Sequence, residues 1–545
     1  MGKMKTDLAQ RGNYFPDAKS VLLTCLSALL FSTSFYELST WLNHFRFINY
    51  FCLSPFIFVL LELKKINNFR DKLFKFSILI LFFTICLEVV AFTWVYSSIR
   101  YFFHLNSISS SIIYILICLL SFPYYFILFF PIYLVIRSEG KYALAIVDIF
   151  LLSLIIISIE HFYPRLAMWF FGYSYFYDSQ LRLIASYVGA FGLSFLFFYS
   201  NILIAVWIEN SNNLKKLFYS KYFINIVLLF CVVFFIHTFF KNKTVSDGYI
   251  NNVKIAYIQP NFSAIQGKDI GGKFYNSKSI EELIQQINDK NYDIIVIPES
   301  SIYYQFGSFP EKMEDILTLA KKMKKPILVQ AVLKIPNVRN ISNTIEKAMS
   351  KSFVVFPNEK ISNTYTKWNL MPFGEEFPFS SYIPYLGERY LKLTEQEVEI
   401  LPGKDALPLE FNSYKIGVFI CYDSINIDLV HLLAKNGADF LINQANFYWM
   451  TKTNAIFVYS IINQFKAIES QKSLLFSTNN GPTVLFDKFG YKVYSNNLIL
   501  KQDASVITVP INKQISFYTK YFYEIKIFIL LTGILLFFYF LKRRV

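Results

Sequence analysis

The sequence predicts two architectures in one chain. One is a polytopic α-helical membrane part of about eight spans. The other is an α/β domain of layered sheets, set between the seventh span and the last. Three observations carry this. First, 54% of the 545 residues are hydrophobic and the mean hydropathy is +0.38, above the roughly 45–50% apolar content of soluble domains. Second, apolar runs long enough to cross a bilayer, roughly 17–25 residues, recur along residues 1–240 and return at 522–541. Third, the insert 241–521 alternates short β-rich runs with polar helical stretches, the pattern of an α/β domain.

The expected spans are 20–37, 44–61, 76–97, 110–136, 143–160, 183–208, 222–240 and 522–541. Polar residues interrupt the first two. Pro123 and Pro131 predict kinks in the fourth, since membrane helices tolerate proline. The first run lacks a small-residue cleavage site and leads into further spans, so it reads as a span and not as a cleaved signal. Aromatics reach 19%, which suits interfacial rings.

The formal charge of +15 sits in short loops and reads as a topology signal, not as a nucleic-acid surface. Lys3, Lys5, Arg11 and Lys19 precede the first span. Lys64, Lys65, Arg70, Lys72 and Lys75 fill the second loop. Arg137, Lys141, Lys215, Lys216, Lys221 and Lys542-Arg-Arg544 follow the same alternation. The other loops carry only Arg46, Arg100, Arg165 and Arg182. Both termini are therefore expected in the cytoplasm, and the insert outside it.

Within the insert, strands are expected at Val253–Gln259, Ile294–Ile297, Ile327–Val332, Ser352–Phe356, Ile416–Ile420, Phe440–Asn443 and Leu474–Ser477. Helices are expected at Ser279–Asp289, Glu311–Lys324, Asn426–Lys435 and Ala455–Gln471. Cys25, Cys52, Cys86, Cys118 and Cys231 lie in apolar runs and imply no disulfide framework. His44, His104, His161, His237 and His431 are scattered without ligand spacing, so no metal is expected. No cofactor is expected either.

Cys421 alone lies outside the long apolar runs. It ends the strand-like Lys415–Ile420 and opens Cys421-Tyr422-Asp423. Glu299 ends a strand, and Lys367 precedes Pro372-Phe-Gly-Glu375. A thiol nucleophile needs a proton acceptor and a positive neighbour, which Glu299 and Lys367 can supply. The competing interpretation of Cys421 is a small buried hydrophobe at a strand end, with a salt-bridged Glu and Lys nearby. Glu375 orients Lys367 or is a loop carboxylate. Asp423 gives support behind the site or a structural hydrogen bond, and Tyr422 lies between it and the nucleophile.

These ordered motifs resemble the nitrilase (carbon–nitrogen hydrolase) superfamily over roughly 253–515. With the membrane spans, the chain resembles the apolipoprotein N-acyltransferase family within it. Tyr365–Glu375, Ala467-Ile-Glu469 with Ser477–Gly481, and Trp169-Phe-Phe-Gly-Tyr-Ser174 carry that narrower likeness. Asp423 stands where the family commonly has Glu. The stretch Asn443–Trp449 departs from the family pattern, and an Arg often found before the Thr-Asn-Asn segment is missing. The resemblance implies an αββα sandwich and a Glu299-Lys367-Cys421 triad. It also implies acyl transfer through a Cys421 thioester. The donor would be a phospholipid, phosphatidylethanolamine by the resemblance, and the acceptor the α-amine of a diacylated apolipoprotein. The implied location is a bacterial inner membrane with the catalytic domain on the periplasmic side. Trp169 and Tyr173, in the ring-rich loop 161–182, are candidates for the lipid entrance or an ordinary aromatic belt. Tyr448 and Trp449 are candidates for a lipid-facing arm or plain packing. The alternative function is a membrane-anchored amidase of the same superfamily that passes the acyl group to water.

Overall fold

The computed structural model describes residues 15–37, 44–103, 105–137, 144–165, 169–210, 218, 220–241, 249–262, 277–301, 314–339, 346–377, 380, 382–393, 398–450 and 453–542. The side chains of 44–46, 101–103, 277–278, 336–337, 339, 393 and 449 lie outside that description. So do Lys3, Lys5, Arg11, His104, Lys141, Lys215, Lys216, Arg543 and Arg544.

The membrane half holds α1 (Ala18–Ser32), α2 (Ser54–Glu62), α3 (Phe69–Ala91), α4 (Thr93–Phe103) and α5 (Ser107–Leu120). It continues with α6 (Phe122–Ile136), α7 (Ile146–Phe162), α8 (Ala185–Glu209) and α9 (Lys221–Phe240). Polar side chains start several of these apolar helices by accepting an otherwise orphaned N–H. Asp17 accepts from Ser20 at 2.7 Å, Asn68 from Arg70 at 2.9 Å and Asn106 from Ser109 at 2.8 Å. Seven helical runs among the described residues are long and apolar enough to span a bilayer. The 17-residue α7 is not one of these seven but packs against α6 and α8, and with it the number of helical runs is close to the expected eight. The fourth run breaks at Ser121, just before Pro123, and Pro131 lies inside α6. The third expected span is cut short, because α3 stops at Ala91 and the chain turns into α4, which packs on α5.

The insert contains β1 (Asn251–Gln259), α10 (Ser277–Gln285), β2 (Ile294–Val296), α11 (Glu314–Met323), β3 (Ile327–Arg339), β4 (Glu346–Val355), β5 (Tyr365–Thr366), α12 (Pro384–Leu393) and β6 (Val398–Ile400). It continues with β7 (Leu409–Phe411), β8 (Tyr414–Ile420), α13 (Leu429–Lys435), β9 (Phe440–Ala445), α14 (Ala455–Ser470), β10 (Leu474–Thr478), β11 (Val484–Phe486), β12 (Lys492–Ser495) and β13 (Asp503–Ile511). The short α15 (Phe517–Lys520) leads into the last span, α16 (Phe522–Lys542).

The strands form two sheets. One has the order β13-β1-β2-β3-β4-β5, with β6 beside β4, and the other is β12-β11-β10-β9-β8-β7. β1, β2 and β3 run parallel, as do β8, β9 and β10. Alternation along β1 separates the layers. Val253, Ile255 and Tyr257 pack toward the second sheet, while Ala256 and Ile258 join Ile280, Leu283, Ile316 and Leu319 of α10 and α11. Gln444 ties the sheets together: its Oε1 accepts from Ser352 at 2.6 Å, and its Nε2 donates to the Ile297 carbonyl at 2.5 Å. α13 and α14 cover the other face of the second sheet, completing an αββα sandwich.

α14 is buried on nearly every side because it lies between that sheet and the membrane half. Rings join the two halves: Tyr173 meets Phe465 at 4.8 Å and Phe176 meets Phe457 at 5.3 Å. Asn454, before α14, donates to the carbonyls of Phe35 at 3.1 Å and Ala91 at 2.7 Å. α8 is interrupted at Gly189, whose φ is +70°. The Ala190 N–H freed there donates at 2.8 Å to Glu469 Oε1 of α14. Gly172 approaches α8 so closely that a Cβ would lie 2.1 Å from the Ala190 carbonyl oxygen. Opposite ends of the spans carry the cationic ties. Lys72 donates to the Ile136 carbonyl at 3.0 Å, Arg137 to that of Leu541 at 3.0 Å, and Lys64 pairs with Glu209.

Candidate active site

Parallel strands deliver the reacting residues from their carboxyl ends, the usual site position in open α/β sheets. Glu299 follows β2, Cys421 follows β8 and Asn446 follows β9. Lys367 follows β5, and its N–H stays on the sheet by donating to the Ser350 carbonyl at 2.9 Å. Cys421 opens a 3-10 turn with φ of +48°, a strained value for a residue with a Cβ. The Asn443 side chain holds it there, accepting the Cys421 N–H at 3.0 Å while donating to Asn463 at 3.0 Å.

The structure brings Glu299, Lys367, Cys421 and Glu375 together. Lys367 Nζ lies 3.0 Å from Glu299 Oε1 and 2.7 Å from Glu375 Oε1. Glu375 Oε2 also accepts the Met371 N–H at 2.8 Å, so the Pro372-Phe-Gly turn aims this carboxylate at Lys367. The Cys421 thiol lies beside Glu299 and favours its ionised form. The Asn446 N–H donates to Glu299 Oε2 at 3.1 Å and favours the thiolate form of the neighbouring sulfur. Glu299, Lys367 and Cys421 are all buried.

Burial, followed by the Glu299 charge, pushes the Cys421 thiol well above its ordinary range. Lys367 pulls the other way without overcoming this. Burial also raises Glu299; Lys367 opposes the rise and the Glu375 charge adds to it. Burial works against the Lys367 ammonium, but Glu299 and Glu375 outweigh it and hold its pKa well above the ordinary value. The resting site thus holds a neutral thiol and a permanent cation, with Glu299 in contact with that cation.

Asp423 stands behind the site. Its oxygens accept from Tyr365 Oη at 2.7 Å and from the N–H groups of Trp368 at 3.0 Å, Asn369 at 2.6 Å and Ile420 at 3.0 Å. It therefore joins the end of β8 to the segment that carries Lys367. Burial raises it to about 6, which leaves it ionised at neutral pH. Tyr422 is buried beside the nucleophile.

The remaining candidates lie elsewhere. Trp169 and Tyr173 are 5% and 2% exposed, packed at the junction of the two halves, where Trp169 meets Phe35 at 4.5 Å and Tyr173 at 5.3 Å. Tyr448 is half-buried in the 3-10 turn Tyr448–Met450, which rests on α4. The Trp449 side chain lies outside the described residues. Sequence reasoning missed Asn443, Asn446 and Asn463 as contributors. The signal was the polar run Asn443-Gln-Ala-Asn446 ending an otherwise apolar strand. Among the described residues no group of three or more His, Cys, Asp or Glu side chains is placed to hold a metal.

The sheet-bearing residues 255–513 match the carbon–nitrogen hydrolase family, here joined to membrane-spanning helices. The chain as a whole is similar to apolipoprotein N-acyltransferases. That of Chlorobaculum tepidum is 24% identical over 372 residues, covering 64% of this chain and 68% of that protein. Apolipoprotein N-acyltransferase 1 of Treponema denticola is 26% identical over 501 residues, covering 86% and 87%. For the Aquifex aeolicus protein the figures are 26% over 251 residues, 45% and 51%. Among solved structures, Saccharomyces cerevisiae Nit3, a member of branch 10 of the nitrilase superfamily, aligns with 49% of this chain and 92% of its own. The identity is 15% and the TM-score 0.37.

Proposed function

We propose that this chain is an apolipoprotein N-acyltransferase. It moves an acyl chain from a phospholipid to Cys421 as a thioester, then to the N-terminal α-amine of a diacylglyceryl-cysteine apolipoprotein. The observation that carries this is the buried Lys367 between Glu299 and Glu375, with the Cys421 thiol beside Glu299, in a domain packed on membrane helices. Glu299 takes the thiol proton, returns it to the departing glycerol oxygen and later deprotonates the amine. Lys367 stabilises the oxyanion of each tetrahedral intermediate. Asp423 is a positioning residue for Lys367.

Phosphatidylethanolamine is the donor we favour, and membrane lipid surrounds the helices of 1–240 and 522–545. The catalytic insert 241–521 faces the periplasm of a bacterial inner membrane. The basic ties at Lys64, Lys72 and Arg137 support this, because they sit at the span ends opposite the sheets. The test is mass spectrometry of the purified protein after incubation with phospholipid alone. An acyl adduct on Cys421, discharged by a diacylated lipopeptide but stable in water, is the expected result. No adduct overturns the covalent mechanism, and rapid discharge by water overturns transfer in favour of hydrolysis.

A further inference from the structure

Asn446 carries a hydrogen-bond donor that the resting site leaves unused. Its side chain is fully buried, and Nδ2 has no partner. Which end of the amide is nitrogen follows from its neighbours. One end accepts the Tyr448 N–H at 3.1 Å, and only the oxygen can accept, so the other end is the NH2. Leaving a buried donor dry is costly, because its hydration is lost with nothing in exchange. That cost falls beside the reacting atoms, because the main-chain N–H of the same residue touches both Glu299 and the Cys421 sulfur.

Alternation along β9 assigns the face. Asn443 points to α14 through Asn463, and Gln444 points to the opposite sheet through the Ile297 carbonyl. Successive residues of an extended chain alternate faces. Asn446 lies one residue past the end of β9, and its main-chain N–H, bonded to Glu299 Oε2 at 3.1 Å, sets it against Glu299. Lys367 has three N–H donors and already directs them at Glu299 Oε1 and Glu375 Oε1. It has one left for an oxyanion, which accepts more than one hydrogen bond.

We propose that Asn446 Nδ2 is a second donor to the acyl carbonyl oxygen, acting with Lys367. The inference rests on the acyl-transfer reading above and adds a residue to it. As Sγ attacks the ester carbon, its proton passes to Glu299, the C–S bond forms and the carbonyl π pair moves onto oxygen. Lys367 and Asn446 hold that oxygen. The carbonyl then re-forms, the bond to the glycerol oxygen breaks, and that oxygen takes the proton from Glu299. Aminolysis repeats the sequence with the amine attacking and the sulfur leaving, so the same two donors serve both halves.

The test compares Asn446→Asp with Asn446→Ala. Asp keeps the oxygen that holds the Tyr448 N–H and loses the donor; Ala loses both. Single-turnover acylation from phosphatidylethanolamine and discharge by diacylated lipopeptide are measured separately, with thermal unfolding in detergent as the check on folding. Both variants are expected to slow both half-reactions by about 10²-fold, with little change in half-saturating lipid. The Asp charge also raises Glu299, a shift that high pH overcomes, and it repels the oxyanion at any pH; Asn446→Ala adds no charge and so separates loss of the donor from that repulsion. A wild-type rate for Asn446→Asp at high pH would assign Asn446 to the turn and overturn the proposal. A loss confined to acylation would place the contact on the glycerol oxygen and overturn it too. If the wild type itself forms no thioester, the acyl-transfer reading falls first and this inference with it.

Discussion

A lysine held by two carboxylates beside a protonated thiol sets the order of events. Because burial keeps Cys421 neutral at rest, the proposed reaction calls for proton transfer to Glu299 and not for a standing thiolate. Cys421→Ala is expected to abolish the adduct in the mass spectrum, and Cys421→Ser to leave little, since an alkoxide forms far less readily. Glu299→Gln keeps the shape without the acceptor and should slow thioester formation by about 10²–10⁴-fold. Lys367→Arg should not restore what Lys367→Ala loses, because a planar guanidinium does not replace a compact ammonium between two carboxylates.

The pH profile has a definite sign. In the proposed reaction Glu299 must be ionised to act as base, and after burial the Glu375 charge adds to the rise in its pKa. Glu375→Gln should therefore move the acid limb of acylation to lower pH, measured as single-turnover rate against pH. An unmoved limb would mean that Glu375 does not act on Glu299. At this scale the sequence was most legible where chemistry restricts residue type. The Glu, Lys and Cys follow short apolar strands, and the turn before Glu375 is written in Pro and Gly. Asn446 was illegible because its role depends on which hydrogen bonds its neighbours leave unmade.

Elements were legible in proportion to their length. The long apolar helices and the largely buried strands β1, β8, β9 and β10 stand out by composition. β5, β6, β7 and β11 have two or three residues, too few to show alternation. β13 is nine residues long, yet it is an edge strand whose partner β1 lies at the other end of the insert. α4 was hidden because its apolar start continues the α3 run, and only the break at Phe92 separates them. The same scale governs the junction between the halves. Glu469 caps the break in α8 and lies 3.8 Å from the buried Lys466. Glu469→Ala removes the cap and strands that charge, at about 3–5 kcal/mol. Glu469→Gln keeps an acceptor and should lose less. Thermal unfolding in detergent checks the order, and equal losses would mean that the cap contributes nothing.

The whole molecule is organised by its two ends. Cationic side chains tie the span ends at Lys64, Lys72 and Arg137, and the sheets rest on the opposite ends at Phe35, Ala91 and Ala190. If the basic end faces the cytoplasm, a cysteine placed at the exposed Asn358 is expected to react with an impermeant thiol reagent in intact spheroplasts. Labelling only after lysis would reverse the orientation.

The tie between Ala190 and Glu469 also has a meaning in time. The two residues are 279 positions apart, so α8 leaves the ribosome long before the carboxylate that completes it. The broken span must enter the bilayer with an amide unsatisfied and wait for a domain that has yet to be synthesised and to fold. Biogenesis is then finished from the C-terminal side. A chain truncated before α14 is expected to be recognised as incomplete and degraded, even though most of its spans are already in place.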